Sequence, residues 1–448
     1  MNRELIETPL LKIEILCTGD EILSGKTVNT NYSYMARKLQ ENGFDVHWGT
    51  VVGDDRGSLE AAFRQASERA DVVIVNGGLG PTVDDLSQET AARAAGVELE
   101  LREEWLEHIR SWYESRGRTM PSNNDKQALL PQGAELIDNP VGTACGFAVT
   151  IQHARFMFPP GVPMEMQRMM KEQILPRLIA MRGSNVVTKL KRFHTFGVGE
   201  SRADMLLDGI EDIVPGGLVK LGFQSHFPQL EIKLMTQGEN NDALASRLEP
   251  VVDAMRHRIG HYIVSEDDGS LEGEIIRELK RTNGSISVLE TMTGGAVAGR
   301  LSGHLEGHSE GATADNEQLK WGLIAANRKE SCHLVELETN QALSGSELVE
   351  QLATMLKTKS GSAHGMEVLA QWQVNGDSNE HGENEHGEAC AEVFIGISFD
   401  GGSQSRSAQF PGSAKWIKLG ITELALDCLR RCLLGIPIYE RTDFEQHN

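Results

Sequence analysis

The sequence predicts an α/β protein: a first domain with a parallel sheet between helices, a small α+β unit, and a second α/β domain. Three observations predict it. Apolar runs of strand length alternate with segments of helical period three times before residue 95, and such alternation builds a parallel sheet covered on both faces. The run Val72–Val75 is apolar without interruption, as a strand buried on both faces requires. The chain of 448 residues, 40% of them hydrophobic, is too long for one core and long enough for roughly three domains of ordinary size.

The first strand, Lys12–Cys17, runs into the polar glycine loop Thr18-Gly19-Asp20-Glu21-Ile22-Leu23-Ser24-Gly25. A helix over 28–42 follows, with Tyr32, Met35, Ala36 and Leu39 at helical spacing and Gly43 as its stop. Val46–Val52 is the second strand, Gly53-Asp54-Asp55 its loop, and Leu59–Ala70 the second helix. The third strand enters Asn76-Gly77-Gly78-Leu79-Gly80-Pro81-Thr82. Gly77, Gly78 and Gly80 let the backbone bend sharply and approach a ligand. Thr82 is expected to cap a helix reaching about Ala92, with Asp84 and Asp85 in its first turn. A helix N-terminus behind a glycine turn suits an anion, and two carboxylates beside it suit a hard cation such as Mg²⁺ carried on phosphate oxygens. The same acids also complement a helix dipole with no ligand present. The loops at 18–25, 53–55 and 77–85 share the C-terminal edge of one sheet, where such sheets bind ligands, and that convergence favours the ligand.

Glu103–Ser115 reads as an amphipathic helix with Trp105, Ile109, Trp112 and Tyr113 on one side. The donors after it, including Arg116, Arg118, Asn123, Asn124, Lys126 and Gln127, serve either phosphate and ribose or only solvent. Phe156–Phe158 is a strand that breaks into Pro159-Pro160-Gly161-Val162-Pro163 before a helix over Glu165–Leu178. Met164, Met166, Met169 and Met170 read as helix core rather than a cofactor box.

A net charge of −22, from 43 basic and 65 acidic residues, argues against a broad nucleic-acid or membrane-binding surface. No apolar run has the length of a membrane span, and the stretch MNRELIETPLLK lacks the apolar core of a signal peptide. Cys17, Cys145, Cys332, Cys390, Cys428 and Cys432 are scattered without a CxxC pair, which fits free thiols in a reducing cytoplasm.

Four segments, TGDEILSG from Thr18, NGGLGPTVDD from Asn76, NPVGTACGF from Asn139 and PPGVP from Pro159, stand in an order and spacing that resemble the CinA family. Over about residues 10–180 the chain is similar to that family's N-terminal domain, a three-layer parallel-sheet domain of the molybdopterin-binding MogA/MoaB type. The resemblance implies a nucleotide-like or pterin-like small-molecule ligand. In some members it implies hydrolysis of the diphosphate of ADP-ribose with a divalent metal, Mg²⁺, Mn²⁺ or Co²⁺. Carried onto this chain, it implies that Gly77, Gly78 and Gly80 cradle phosphate beside Thr82. Asp84 and Asp85 would hold or orient the metal and carry the catalysis. Thr18, Gly19, Asp20 and Glu21 would complete the ligand site from the neighbouring strand end.

Residues 188–265 resemble the family's KH-like middle domain: a strand at Leu190–Phe196, a helix after Gly199-Glu200-Ser201, strands at Val219–Phe223 and Leu230–Met235, and a helix over Asn241–Ile259. No GXXG loop stands there, so a spacer or dimerisation element, and with it a homodimer, is expected rather than RNA binding. Residues 270–440 resemble the CinA-type C-terminal domain, in active members a nicotinamide-mononucleotide amidohydrolase with a serine nucleophile in ESCTGG and a lysine base beyond YSN. Here Thr291 stands at the serine and Met292 at the cysteine, Ala326 falls at the tyrosine, and the lysine position falls near Ser331, with Lys329 out of register. A hydroxyl nucleophile needs a positioned base, so the amidase site reads as degenerate. The polar segment 303–318 and the acidic, glycine-rich Asn375–Glu388, read as a disordered surface loop, agree with that loss.

Three functions are therefore expected, in this order. The first is a metal-dependent hydrolase of a nucleotide diphosphate such as ADP-ribose. The second is a nucleotide- or pterin-binding protein without catalysis. The third is a residual amidohydrolase in which Thr291 attacks.

Overall fold

The structure is a computed structural model and describes residues 11–183, 187–238, 240–306, 318–338, 343–373, 389–440 and 442–446. The stretch Asn375–Glu388 and most of 303–318 lie outside them. The chain divides into two compact units, one running to Lys189 and including Gln237–Leu244, the other made of Leu190–Thr236 and the chain from Ala245 onward. The 188–265 segment thus falls largely in the same unit as the chain after it.

The first unit comprises β1 (Ile13–Thr18), α1 (Asp20–Leu23), α2 (Thr30–Glu41), β2 (Val46–Val52), α3 (Arg56–Arg69), β3 (Val72–Asn76), α4 (Ser87–Ala95), β4 (Leu99–Leu101), α5 (Glu103–Glu114), β5 (Leu129–Pro131), β6 (Glu135–Ile137), β7 (Gly146–Ile151), β8 (Ala154–Phe158), α6 (Pro163–Met169) and α7 (Leu175–Arg182). Its sheet has the order β2-β1-β3-β8-β7-β6. β1 runs parallel to β2 and β3, and β3 to β8. The expected parallel sheet is therefore its centre, while β7 and β6 extend it antiparallel. β1 and β3 are buried along their whole length, and the edge strand β2 alternates, as one covered face requires. One apolar layer packs Leu16, Val73, Val75 and Phe156 against Phe63 of α3 and Ile109 of α5. The other packs Ile15, Ile74 and Met157 against Met35 and Leu39 of α2 and Met166 and Met169 of α6. The methionine run is core as expected, except Met164, which is 69% exposed in the first turn of α6.

Local chemistry fixes the helix starts. The Asn29 side chain accepts the Tyr32 N–H at 2.9 Å ahead of α2, and Asp55 accepts the Ser58 N–H at 2.7 Å ahead of α3. The expectation at Thr82 fails. Its N–H and hydroxyl both donate to Asp85 Oδ2, at 2.8 and 2.6 Å, and close a tight turn instead of opening a helix. α4 begins only at Ser87. Asp84 and Asp85 therefore lie in a loop before the helix, where complementing its dipole does not account for them.

The second unit comprises β9 (Val187–Phe196), α8 (Glu200–Leu206), β10 (Val219–His226), β11 (Gln229–Gly238), α9 (Asn241–Ile259), β12 (Ile263–Glu266), α10 (Leu271–Arg281), β13 (Ile286–Glu290), α11 (Ala296–Glu306), β14 (Leu319–Ile324), α12 (Arg328–Leu334), α13 (Gly345–Ser360), β15 (His364–Trp372), β16 (Ala389–Phe399), β17 (Gly402–Gly412) and α14 (Ala414–Leu434). It holds a four-stranded sheet, β10-β11-β9-β12, and a five-stranded sheet, β14-β13-β15-β16-β17. β14, β13 and β15 are parallel, and β16 and β17 return antiparallel. Ile417, Ile421, Leu424 and Cys428 of α14 enter the core with Ile275 and Leu279 of α10. No helix among the described residues is long and apolar enough to cross a membrane.

Candidate functional site

A cavity of about 680 Å³ lies over the C-terminal ends of β1 and β3. Of the residues singled out from the sequence, Thr18, Gly19, Glu21, Gly77, Gly78, Gly80, Thr82, Asp84 and Asp85 line it, joined by Asp54. Asp20 sits just outside. Its N–H donates to Asp54 Oδ2 at 3.1 Å and its Oδ1 accepts the Asp54 N–H at 3.2 Å, which ties the first two loops together. Partial burial, with the negative charges of Asp20, Glu21 and Asp84, holds the Asp54 carboxyl above its ordinary value, against the lowering pull of Asp20's N–H.

The glycine turn is shaped by its contacts. Gly77 has φ +117°, and a Cβ there would lie 2.5 Å from Thr18 Oγ1 and 2.8 Å from Thr18 O, so only glycine fits between the two strand ends. The Ser87 hydroxyl donates to Gly77 O at 2.8 Å. Asn76 Nδ2 donates to Pro160 O at 2.6 Å, while Asn31 Nδ2 donates to Asn76 Oδ1 at 2.9 Å and to Gly161 O at 2.7 Å. These bonds join the glycine turn to the proline-glycine turn across the cavity. The N–H groups of Gly78, Leu79 and Gly80 have no acceptor among the described residues, which leaves them for an anion.

The donors after α5 prove to be braces. Lys126 Nζ donates to Thr82 O, Asn123 Nδ2 to Pro81 O at 3.4 Å, and Gln127 Nε2 to Leu79 O at 3.2 Å. Arg116 lies over the Trp112 ring, 3.8 Å from its centroid. Of this set only Gln127 lines the cavity. Trp105 and Trp112 give their indole N–H groups to Thr143 O and Val141 O at 3.0 and 3.1 Å, and so hold the loop after Asn139. Asn139 closes that loop and donates to Glu165 Oε2 at 2.8 Å. Burial pushes the Glu165 carboxyl up, and the Asn139 bond pulls it back. The sequence reading missed Asn31, Asn76 and Glu165 as site residues. Asn76, which opens the NGGLGPTVDD segment, and Glu165, two residues after PPGVP, carried local signals, and Asn31 carried none.

The donor set tests the fit of a metal. Among the described residues no group of three or more His, Cys, Asp and Glu side chains is arranged to hold one. Asp85 gives one carboxylate oxygen to Thr82, and Asp84 is exposed. These residues suit a cation that arrives on phosphate oxygens and keeps most of its water, as Mg²⁺ does, rather than one held in a protein cage.

Thr291 belongs to the second unit, just after β13. It is buried. Its hydroxyl lies 3.2 Å from Val368 O and 3.3 Å from Ala370 O, where it donates, and it accepts the Ala370 N–H at 2.9 Å. Ser331, near the expected lysine position, is buried and donates to Glu367 Oε1 at 3.0 Å.

Comparison with known proteins supplies the frame. A family model described as a probable molybdopterin binding domain matches residues 14–180, and one described as the damage-inducible protein CinA KH domain matches 190–265. A CinA-like protein of Shewanella woodyi is 36% identical over 430 residues, covering 95% of this chain and 96% of that one. The chain belongs to the CinA family. A second CinA-like protein, from Shewanella sp. MR-4, is 41% identical over 289 residues, 64% of this chain and 66% of its own. The solved structure of protein CinA from Thermoplasma acidophilum is 36% identical, covers 37% of this chain and 98% of its own, and has a TM-score of 0.35. The first unit of this CinA family member is of MogA/MoaB type, followed by the CinA KH domain and a C-terminal α/β region.

Proposed function

We propose that the first unit binds a nucleotide diphosphate such as ADP-ribose and hydrolyses it with a divalent cation. The observation that carries this reading is a single cavity lined by Gly78, Leu79 and Gly80, whose N–H groups have no acceptor among the described residues, together with Glu21, Asp54 and Asp84. Donors in a glycine turn take phosphate oxygens. Carboxylates beside a phosphate repel it, and with a cation between them the same carboxylates attract. Mg²⁺, Mn²⁺ or Co²⁺ bound there would polarise the diphosphate and supply an activated water. The chain's own part is to bind and orient. The glycine turn would hold the diphosphate and Asp84 would hold the cation, while Asn76 and Ser87 keep the turn in shape and Asp85 holds the loop through Thr82. Water adds to one phosphorus and the bridging P–O bond breaks, so ADP-ribose gives AMP and ribose 5-phosphate.

The test is incubation of the purified chain with ADP-ribose and each cation, following both products by chromatography. Asp84→Asn and an Asp84→Ala, Asp85→Ala double variant run alongside. Products that fall at least about tenfold in Asp84→Asn support the reading. No products from folded parent protein refute hydrolysis. A second reading, binding of a nucleotide or pterin without hydrolysis, draws on the engagement of Asp85 by Thr82 and on the matched family's description as a probable molybdopterin binding domain. It expects saturable binding and no product. A residual amidase draws on nothing comparable, because the Thr291 hydroxyl is occupied by the β15 backbone.

A further inference from the structure

The edge strand β2 and the outer ridge of α3 frame an open groove of about 730 Å³, lined by Thr50, Val51 and Val52 on one side and by Ala61, Gln65 and Glu68 on the other. β2 ends its sheet and pairs with β1 alone. Val52 O accepts the Gly19 N–H at 3.1 Å, toward β1. Backbone groups alternate in direction along a parallel strand. The N–H and C=O groups of Gly49 and Val51 therefore point away from the sheet, and they have no partner among the described residues. Edges of this length are ordinarily blunted by a charge, a proline or a bulge. The seven residues Val46–Val52 hold no Lys, Arg, Asp, Glu or Pro. The one irregularity in the pairing lies at the start of the strand, opposite Ile13 and Glu14, away from the groove. The edge instead shows apolar surface, with Val51 39% exposed and Leu23, on the same groove, 59% exposed. An open edge of this kind takes another strand.

The ridge of α3 identifies the strand that fits. Glu60, Arg64 and Glu68 stand on successive turns of one helix face. Arg64 donates to Glu60 at 2.8 Å, and Glu60 also meets Arg93 at 3.1 Å. Glu68 is exposed and has no ion-pair partner among the described residues. A ridge with a cation four residues from an unpaired acid complements itself when two copies run antiparallel. We propose that two copies of this chain join at β2. The strands pair antiparallel across a two-fold axis, with Gly49 and Val51 bonded to the partner strand. The α3 helices then lie side by side, with Arg64 of each copy against Glu68 of the other, and two sheets become one. The contact is independent of what the cavity binds and does not use the 188–265 segment. The loop Gly53-Asp54-Asp55 follows β2 directly, so the pairing also steadies the carboxylate that Asp54 brings to the cavity.

The experiment is sedimentation equilibrium of the full chain beside Val51→Pro, Arg64→Glu and Glu68→Arg. Proline at 51 removes an N–H that β1 does not use, so the bonds within the sheet stay in place. Each charge reversal sets like charges against each other across the two-fold axis. The parent is expected to be a dimer, and each variant is expected to weaken it by at least about tenfold. An equimolar mixture of Arg64→Glu and Glu68→Arg is expected to restore the dimer, because opposite charges then face each other again. If Val51→Pro does not fold, the two charge variants, both on the exposed ridge, carry the test. A monomeric parent overturns the inference and would leave the edge to a strand of a different protein. A dimer that Val51→Pro or the charge reversals leave unmoved also overturns it, and would place the interface elsewhere, the 188–265 segment included. So does a mixture that associates no better than its components.

Discussion

Gly77 shows how one residue type is forced at the site. Its positive φ and its contact with Thr18 exclude any side chain. Gly77→Ala is expected to cost the first unit about 1–3 kcal/mol and to abolish saturable ADP-ribose binding, read by thermal unfolding and calorimetry. Binding kept at parent affinity would mean that the turn does not shape the site. Glu367 makes the opposite kind of statement, about stability. It is fully buried, one oxygen accepts from Ser331 and the other has no partner among the described residues. Burial pushes its carboxyl up to about 8, the Ser331 bond pulls it down, and the charge of Glu290 adds to the rise. The folded chain therefore keeps a proton that the unfolded chain releases near the ordinary value. The stability this contributes is complete below that value and is lost as pH rises toward about 8. The midpoint of the second unit should fall between about pH 5 and 8, and Glu367→Gln should flatten that slope and raise the midpoint at pH 8 by about 2–4 °C. An unchanged slope would show that the carboxyl is already ionised and solvated. The glycines were legible in the sequence because their chemistry is local. The state of Glu367 was not, because burial is a property of the packed sheet.

At the scale of elements, alternating strand and helix patterns placed β1 to β3, their helices and the loops between them. The error at Thr82 has a physical reason. Side chains of the Asp and Thr type compete with the helix for backbone N–H groups, and here Asp85 wins by closing a turn. The consequence is an acidic loop without a preformed cage. Mg²⁺ or Mn²⁺ alone should therefore shift the melting of the first unit little, and cation with ADP-ribose together more than the sum of either alone, by differential scanning fluorimetry. A large shift with metal alone would contradict a cation carried in on phosphate. The strand-to-helix turn at Thr291 looks like its counterpart at Gly77 in sequence and differs in chemistry. Its hydroxyl is a structural bond to β15. Thr291→Val should destabilise the second unit by about 1 kcal/mol. Neither parent nor variant should release ammonia from nicotinamide mononucleotide, and release by the parent that Thr291→Val removes would restore the amidase reading.

At the scale of the whole chain, the charge excess argued against a broad nucleic-acid or membrane-binding surface, and the described surface adds charged pairs that are mostly exposed. The ion pair of Arg406 and Glu445 is different, with side chains only 4% and 7% exposed, and it fastens the segment after α14 within the second unit. Glu445→Gln leaves that guanidinium buried without an anion and should cost the second unit about 3–5 kcal/mol by denaturant unfolding, far more than loss of a surface pair. A cost near zero would place water beside Arg406. The sequence by itself determined the fold class, the run of strands and helices, the glycine turn and the family, because periodicity, turn chemistry and motif spacing act over a few residues. Tertiary structure alone decided that Asn31, Asn76, Gln127 and Glu165 stand around one cavity. The bonds that bring three of them there span 45, 84 and 48 residues of chain. Contacts of that reach leave no period in the sequence, and only the closing of the sheet brings these side chains to one cavity.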